Sequence, residues 1–176
     1  MTSITKITIH WTGGGYFPNI EDFAHYHFIV DKNGKTVNGF YKPEDNLNCK
    51  DGKYAQHTGG GNTGNIGIAM CAMAGFKDRN NIGEYPITNK QFEACMEYVA
   101  KLCLKYGIRP TEQNVFTHYE FGLKNPTTSS KGKIDITYIP PYPQVKKEQC
   151  GQFIRQKVQW YTDKLKKEKE KSNEMV

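Results

Sequence analysis

The sequence predicts one α/β domain, a central mixed β-sheet flanked by helices. Short runs of alternating apolar residues, such as Thr5 to Trp11 and Asn65 to Ala72, read as strands. Longer stretches after Thr88 and after Lys147 carry apolar residues at three- to four-residue steps, which is helical spacing. The 176 residues hold no internal repeat and no linker, so they fit a single core.

Taken in order, Thr5 to Trp11 sets Ile7 and Ile9 against Lys6 and Thr8, and the run ends at Gly13-Gly14-Gly15. His10 therefore sits near a strand's end, beside a flexible loop. Ile20 to Ala24 allows a short helical turn. A hairpin follows, His25 to Val30 and Lys35 to Phe40. Its turn, Asp31-Lys32-Asn33-Gly34, carries the Asn-Gly pair that accepts positive φ. Asn65 to Ala72 reads as a buried strand behind a glycine-rich loop.

The clearest helix begins at Thr88, which has capping-box spacing to Gln91. Phe92, Cys95, Met96, Val99, Leu102, Cys103 and Tyr106 supply its apolar stripe, and Gly107 and Pro110 end it. Val115 to Thr117 is a short strand delivering His118. Tyr119 to Pro143, rich in Gly, Ser, Thr and Pro, reads as a long surface loop, a length that often signals function. A last amphipathic helix, Lys147 to Lys167, should bury Cys150, Phe153, Ile154, Val158, Tyr161 and Leu165.

Composition narrows the class. Five cysteines, odd in number and without a C-x-x-C pair, suggest reduced and mostly buried thiols. No run approaches the roughly 18 apolar residues of a membrane span, and the first ten residues lack a signal-peptide core, so synthesis in the cytoplasm is expected. A net charge of +6 points to nucleic acid, an anionic membrane or an anionic cell wall, or serves solubility alone. Part of it is local, in Lys164-Leu165-Lys166-Lys167-Glu168-Lys169-Glu170-Lys171. Gly59-Gly60-Gly61-Asn62-Thr63-Gly64 fits G-x-G-x-x-G, but strand rather than helix follows it, so the phosphate-cradle reading fails. No nucleic-acid module signature is present, and no nucleic-acid partner is expected.

His10, His118 and Asp135 each close a strand or lie in a loop beside one. A catalytic zinc takes about three protein ligands and keeps one position open. Spacing alone does not single these residues out, because five histidines in such a chain are ordinary. His25 and His27 alternate along one predicted strand, which fits either metal binding or packing.

Five ordered segments carry a resemblance: Ile7-Thr8-Ile9-His10-Trp11-Thr12-Gly13-Gly14, His25 to Gly34, Tyr54 to Ala69, Thr117-His118-Tyr119-Glu120, and Gly132-Lys133-Ile134-Asp135-Ile136. Together they resemble the type-2 N-acetylmuramoyl-L-alanine amidases, which share a fold with peptidoglycan recognition proteins and phage lysozyme-type amidases. The resemblance implies Zn2+ held by His10, His118 and Asp135, although some relatives have Cys in the third place. It implies a catalytic Tyr26 and Lys133, as in phage amidases. Ala69 stands where another branch of the family has a glutamate base. His57, Asn62 and Thr63 are expected at the muropeptide substrate, and Glu120 as a partner of His118.

The implied activity is hydrolysis of the lactyl-L-alanine amide of peptidoglycan by a phage or prophage endolysin. That enzyme waits in the cytoplasm and reaches the cell wall after release. A non-catalytic peptidoglycan-binding module and a cytosolic muropeptide-recycling amidase are the alternatives. Residues 1–145 would form the zinc amidase core, and residues 146–176 a helix and basic tail packed on the same domain. The chain is expected to be a monomer whose tail meets anionic envelope polymers.

Overall fold

The computed structural model describes residues 3–174. In it, β1 (Lys6–Trp11), β2 (Phe28–Val30), β3 (Thr36–Asn38), β4 (Asn65–Met70) and β5 (Val115–Thr117) form one sheet, in the order β3-β2-β4-β1-β5. β1 runs parallel to both β4 and β5, β2 runs parallel to β4, and only β3 is antiparallel. The mixed sheet is the one the sequence predicts.

Strand alternation gives this sheet two different faces. Ile7, Ile9 and Trp11 of β1, Ile66, Ile68 and Met70 of β4, and Phe28 and Val30 of β2 join the main apolar core. The other face carries Thr8, His10, His27, Asn65, Gly67 and Ala69, all buried. One face therefore builds the core while the other is left for polar chemistry.

Helix α1 (Ile20–His25) begins at a capping box between Asn19 and Asp22. This shortens the expected hairpin. His25 ends α1 rather than starting a strand, and pairing begins only at Phe28. The turn forms as expected, with Asp31 Oδ1 accepting from the Asn33 and Lys35 amides at 2.8 and 3.0 Å and Gly34 at φ +85°.

Helix α2 (Asn89–Tyr106) starts at the predicted Thr88–Gln91 box and stops at Gly107, which is left-handed with φ +67°. Its Gln91 amide is buried and donates to the carbonyls of Val30 and Cys71, tying α2 to the sheet.

Helix α3 (His118–Lys124) lies where the sequence suggests only loop. Its signal was the Thr117–Glu120 box: Thr117 Oγ1 accepts from the Glu120 amide at 3.1 Å, and Glu120 Oε1 accepts from the Thr117 amide at 3.0 Å. Helix α4 (Cys150–Glu174) runs past the expected Lys167, but it buries no residue beyond Thr162. Its Arg155 grips the Glu120 carboxylate at 2.9 and 3.0 Å and also donates to the Val115 carbonyl. Glu120 therefore faces α4 and holds α3 in place, which corrects its expected role beside His118. Gly151 makes this possible, since a Cβ there would overlap the Glu120 carboxylate.

All five cysteines are free thiols, four of them buried. No helix among the described residues is long and apolar enough to cross a membrane.

Candidate metal centre

Three elements converge on the polar face of the sheet. β1 presents His10, fully buried, opposite Ala69 of β4. β5 ends at Thr117, whose cap makes His118 the first residue of α3. The following loop returns to bring in Asp135, whose carbonyl accepts from the Tyr119 amide at 2.6 Å.

The carboxylate of Asp135 lies between the two rings, with Oδ2 at 2.9 Å from His10 Nδ1 and Oδ1 at 3.3 Å from His118 Nδ1. One ligand atom from each residue falls within 4.8 Å of the others. Two of these gaps approach the edge of a tetrahedron built on metal bonds of about 2 Å, which is about 3.3 Å.

Charge agrees with geometry. Burial pulls the His10 pKa down to about 4, against the raising effect of its bond to Asp135, so this ring is neutral at pH 7. Burial works to raise the Asp135 pKa, yet hydrogen bonds with His10 and His118 outweigh it and hold the group below the usual carboxylate range. A buried anion beside a neutral imidazole calls for a cation. The donor set of two imidazoles and a carboxylate, closed in on three sides, fits zinc.

The other expected residues surround this point unequally. The Tyr26 ring sits 5.1 Å from that of His10, tilted by 53°. Burial, helped by the Asp135 charge, raises its phenol pKa, so Tyr26 is a hydrogen-bond donor at neutral pH. Lys133 is exposed, two residues before Asp135, and its charge contributes to lowering His10. His57 is buried behind His10, with Nδ1 at 3.2 Å from His10 Nε2 and Nε2 at 2.9 Å from the Asn65 carbonyl. Asn62 turns its Oδ1 inward to the amides of His57 and Thr58, while Thr63 is exposed.

A family model described as N-acetylmuramoyl-L-alanine amidase matches residues 1–135, more than three quarters of the chain. The chain belongs to this family. The PlyG catalytic domain resembles it in fold, with a TM-score of 0.50 and 22% identity over 92% of this chain and 85% of that one. The N-acetylmuramoyl-L-alanine amidase LysC of Clostridium intestinale gives 0.45 and 19%, over 66% and 71%. A complex of the peptidoglycan recognition proteins LCa and LCx with tracheal cytotoxin gives 0.45 and 16%, over 74% and 78%. No curated protein sequence matches the chain.

In this amidase-family chain, the residues that sequence reasoning missed lie behind the ligands. Ser130 Oγ is 3.0 Å from His118 Nε2, and Thr58 Oγ1 is 2.8 Å from His57 Nδ1. Nothing in the local pattern marks either one: Ser130 meets His118 and Gly59, 12 and 71 positions away, and Thr58 only neighbours His57 in sequence.

Of the hairpin histidines, His25 is exposed and bonded to the Gln56 carbonyl, whereas His27 is buried. His27 Nδ1 accepts from the Gly67 amide at 2.9 Å, and its Nε2–H donates to Asn46 Oδ1 at 2.8 Å. Its role is packing, and it has a consequence for pH. Burial lowers the His27 pKa to about 4, as it does for His10, and His57 lies well below its usual value for the same reason.

Unfolded, these rings titrate near 6.5, so the unfolded chain takes up protons first. The stability they confer is full above about pH 6.5 and is lost as pH falls toward about 4. Each ring contributes a slope of about 1.4 kcal/mol per pH unit. Urea unfolding of chelator-treated protein should show midpoints that drop steadily from about pH 7 to about pH 5. A flat series over that range would show that the rings are not held neutral.

Proposed function

We propose that the chain is a zinc-dependent N-acetylmuramoyl-L-alanine amidase that hydrolyses the amide between the lactyl group of muramic acid and L-alanine, acting as a phage or prophage endolysin. The convergence of His10, His118 and Asp135 on one buried point carries this reading. Bound there, zinc would bring a water's pKa to about 7 and polarise the scissile carbonyl.

The chain's own groups do the rest. Attack on the amide develops negative charge on the carbonyl oxygen, and Lys133 supplies a mobile positive charge beside it. Tyr26, held as a phenol, donates a hydrogen bond to the developing charge or to the departing amine. Exposed Thr63 offers its hydroxyl to the muropeptide, His57 and Asn62 shape the floor beneath, and Ala69 leaves no glutamate base. The Tyr26–Lys133 pair and the missing glutamate favour the phage branch over a recycling enzyme, and the complete donor set favours catalysis over a binding module.

Mass spectrometry of digested sacculi tests the reading. Free stem peptides beginning with L-alanine are expected, and their release should stop with EDTA and return with zinc. Intact strands that are merely bound would replace the amidase with a module, and lysis undisturbed by EDTA would remove the metal. Lys133→Ala should lower kcat on the order of 10²- to 10³-fold with zinc content unchanged. Undiminished hydrolysis would take Lys133 out of the mechanism.

The exposed end of α4, beyond Leu165, is proposed to meet anionic wall polymers. Deleting residues after Leu165 should flatten the salt dependence of wall binding between about 0.05 and about 0.5 M salt. An unchanged dependence would leave the tail without that role.

A further inference from the structure

Behind each histidine of the centre runs a chain of hydrogen bonds that ends on a backbone carbonyl. Behind His10, the Asn65 carbonyl is 2.9 Å from His57 Nε2, and His57 Nδ1 is 3.2 Å from His10 Nε2. Behind His118, the Gly59 carbonyl is 2.7 Å from Ser130 Oγ, which is 3.0 Å from His118 Nε2. A carbonyl can only accept, so each chain has a direction. The Asn65 carbonyl requires a proton on His57 Nε2, which leaves neutral His57 with a bare Nδ1 that accepts from His10 Nε2–H at 3.2 Å or from the Thr58 hydroxyl at 2.8 Å. The Gly59 carbonyl takes the Ser130 hydroxyl proton, so Ser130 Oγ accepts from His118 Nε2–H. Either reversal would set a bare ring nitrogen or a hydroxyl lone pair against a carbonyl oxygen.

We propose that the His57-Thr58-Gly59 segment, together with Ser130, holds both His10 and His118 in the Nε2–H tautomer when a cation stands between the rings and Asp135, so that both Nδ1 lone pairs face that cation. Without it, the ionised Asp135 carboxylate takes Nδ1–H from the rings. His57 and Ser130 are positioning residues. One tripeptide serves both chains, because His57 backs His10 while the Gly59 carbonyl anchors Ser130. Thr58 Oγ1, 2.8 Å from His57 Nδ1 and 3.4 Å from His10 Nε2, bridges the first chain.

The segment is held by the protein's own contacts. Asn62 Oδ1 binds the amides of His57 and Thr58, Gly67 leaves room for the His57 ring, and Gly59 leaves room for Ser129. Conserving ring orientation and basicity in this way is worth about 10- to 100-fold in metal affinity in known centres.

The affinity and the tautomers of His10 and His118 rest on the zinc reading above; the tautomer of His57 does not. Two-bond ¹⁵N–¹H spectra of histidine-labelled protein should show His57, which is not a ligand, as the neutral Nε2–H tautomer. Zinc competition with a chromophoric chelator should give a Kd about 10- to 100-fold weaker for Ser130→Ala and for His57→Ala. Ser130→Ala removes a single oxygen, so the thermal midpoint of its chelated form should match wild type. His57 found as Nδ1–H, or a Ser130→Ala Kd equal to that of wild type, would overturn the proposal. A wild-type chain that takes up no zinc would overturn the zinc reading instead, and the His57 tautomer in that metal-free chain would still decide this one.

Discussion

Alanine in place of His118 should empty the centre and abolish hydrolysis while leaving the domain folded. The two effects separate because His118 does not hold its own helix. The start of α3 is fixed by the Thr117–Glu120 box and by Arg155 reaching across from α4. The His118 ring contributes Nδ1 to the cluster and Nε2 to Ser130. Without it, Ser130 keeps its bond to the Gly59 carbonyl, so no buried hydroxyl is orphaned.

The metal loses much more. Zinc sites bind with about 10–16 kcal/mol, and removing one of three protein ligands forfeits several of these, on the order of 10³-fold in affinity. Asp135→Ala should act in the same direction, because it removes the only anionic donor between the rings. Metal analysis, circular dichroism and release of L-alanyl peptides measure the three consequences separately. A folded His118→Ala protein with wild-type zinc and wild-type hydrolysis would remove this residue from the centre.

Much of this site was legible in the sequence, but by different routes. β1, β4 and α2 were readable from period alone, since alternation and the Thr88 cap are local signals that tertiary contacts reinforce. Helix α3 was not, because seven residues interrupted by Gly122 give too short a stripe to read, although its cap at Thr117 and Glu120 was present. The tail of α4 shows the opposite limit. Its Lys- and Glu-rich end forms helix readily with little to bury, so the end of the apolar stripe marked the end of packing rather than of the helix. The meeting of His10 with Asp135 spans 125 positions and leaves no trace in spacing; it became legible only through ordered motifs that resemble a known family. Ser130 lies outside every such motif, and Thr58 lies within one that gives it no role. Their roles exist only because two loops touch, which the contact of Ser130 with Gly59 across 71 positions makes plain.

The same crowding gives a large expected stability effect at Gly67. Its place in the Ile-Gly-Ile strand looks permissive, and its backbone needs no positive φ, so local rules would allow alanine. The packing does not. A Cβ on Gly67 would overlap Cγ, Cδ2 and Nδ1 of the His57 ring. That ring cannot swing aside, because its two nitrogens are held by the Asn65 carbonyl and by Thr58 with His10. Nor can the backbone retreat, since β4 lies between β1 and β2 and the Gly67 amide is bonded to His27.

Gly67→Ala should therefore cost about 2–4 kcal/mol, at or above the usual range for overpacking a rigid core. It should also push His57 off His10 and weaken zinc binding. The clash has one remedy. His57→Ala removes the ring and opens space for the new methyl group, so the double variant should be more stable than Gly67→Ala alone. A coupling of about 1–3 kcal/mol between the two positions is expected in urea unfolding. Additive effects at Gly67 and His57 would mean that the ring does not rest on this strand, and the chain of bonds from Asn65 to His10 would lose its support.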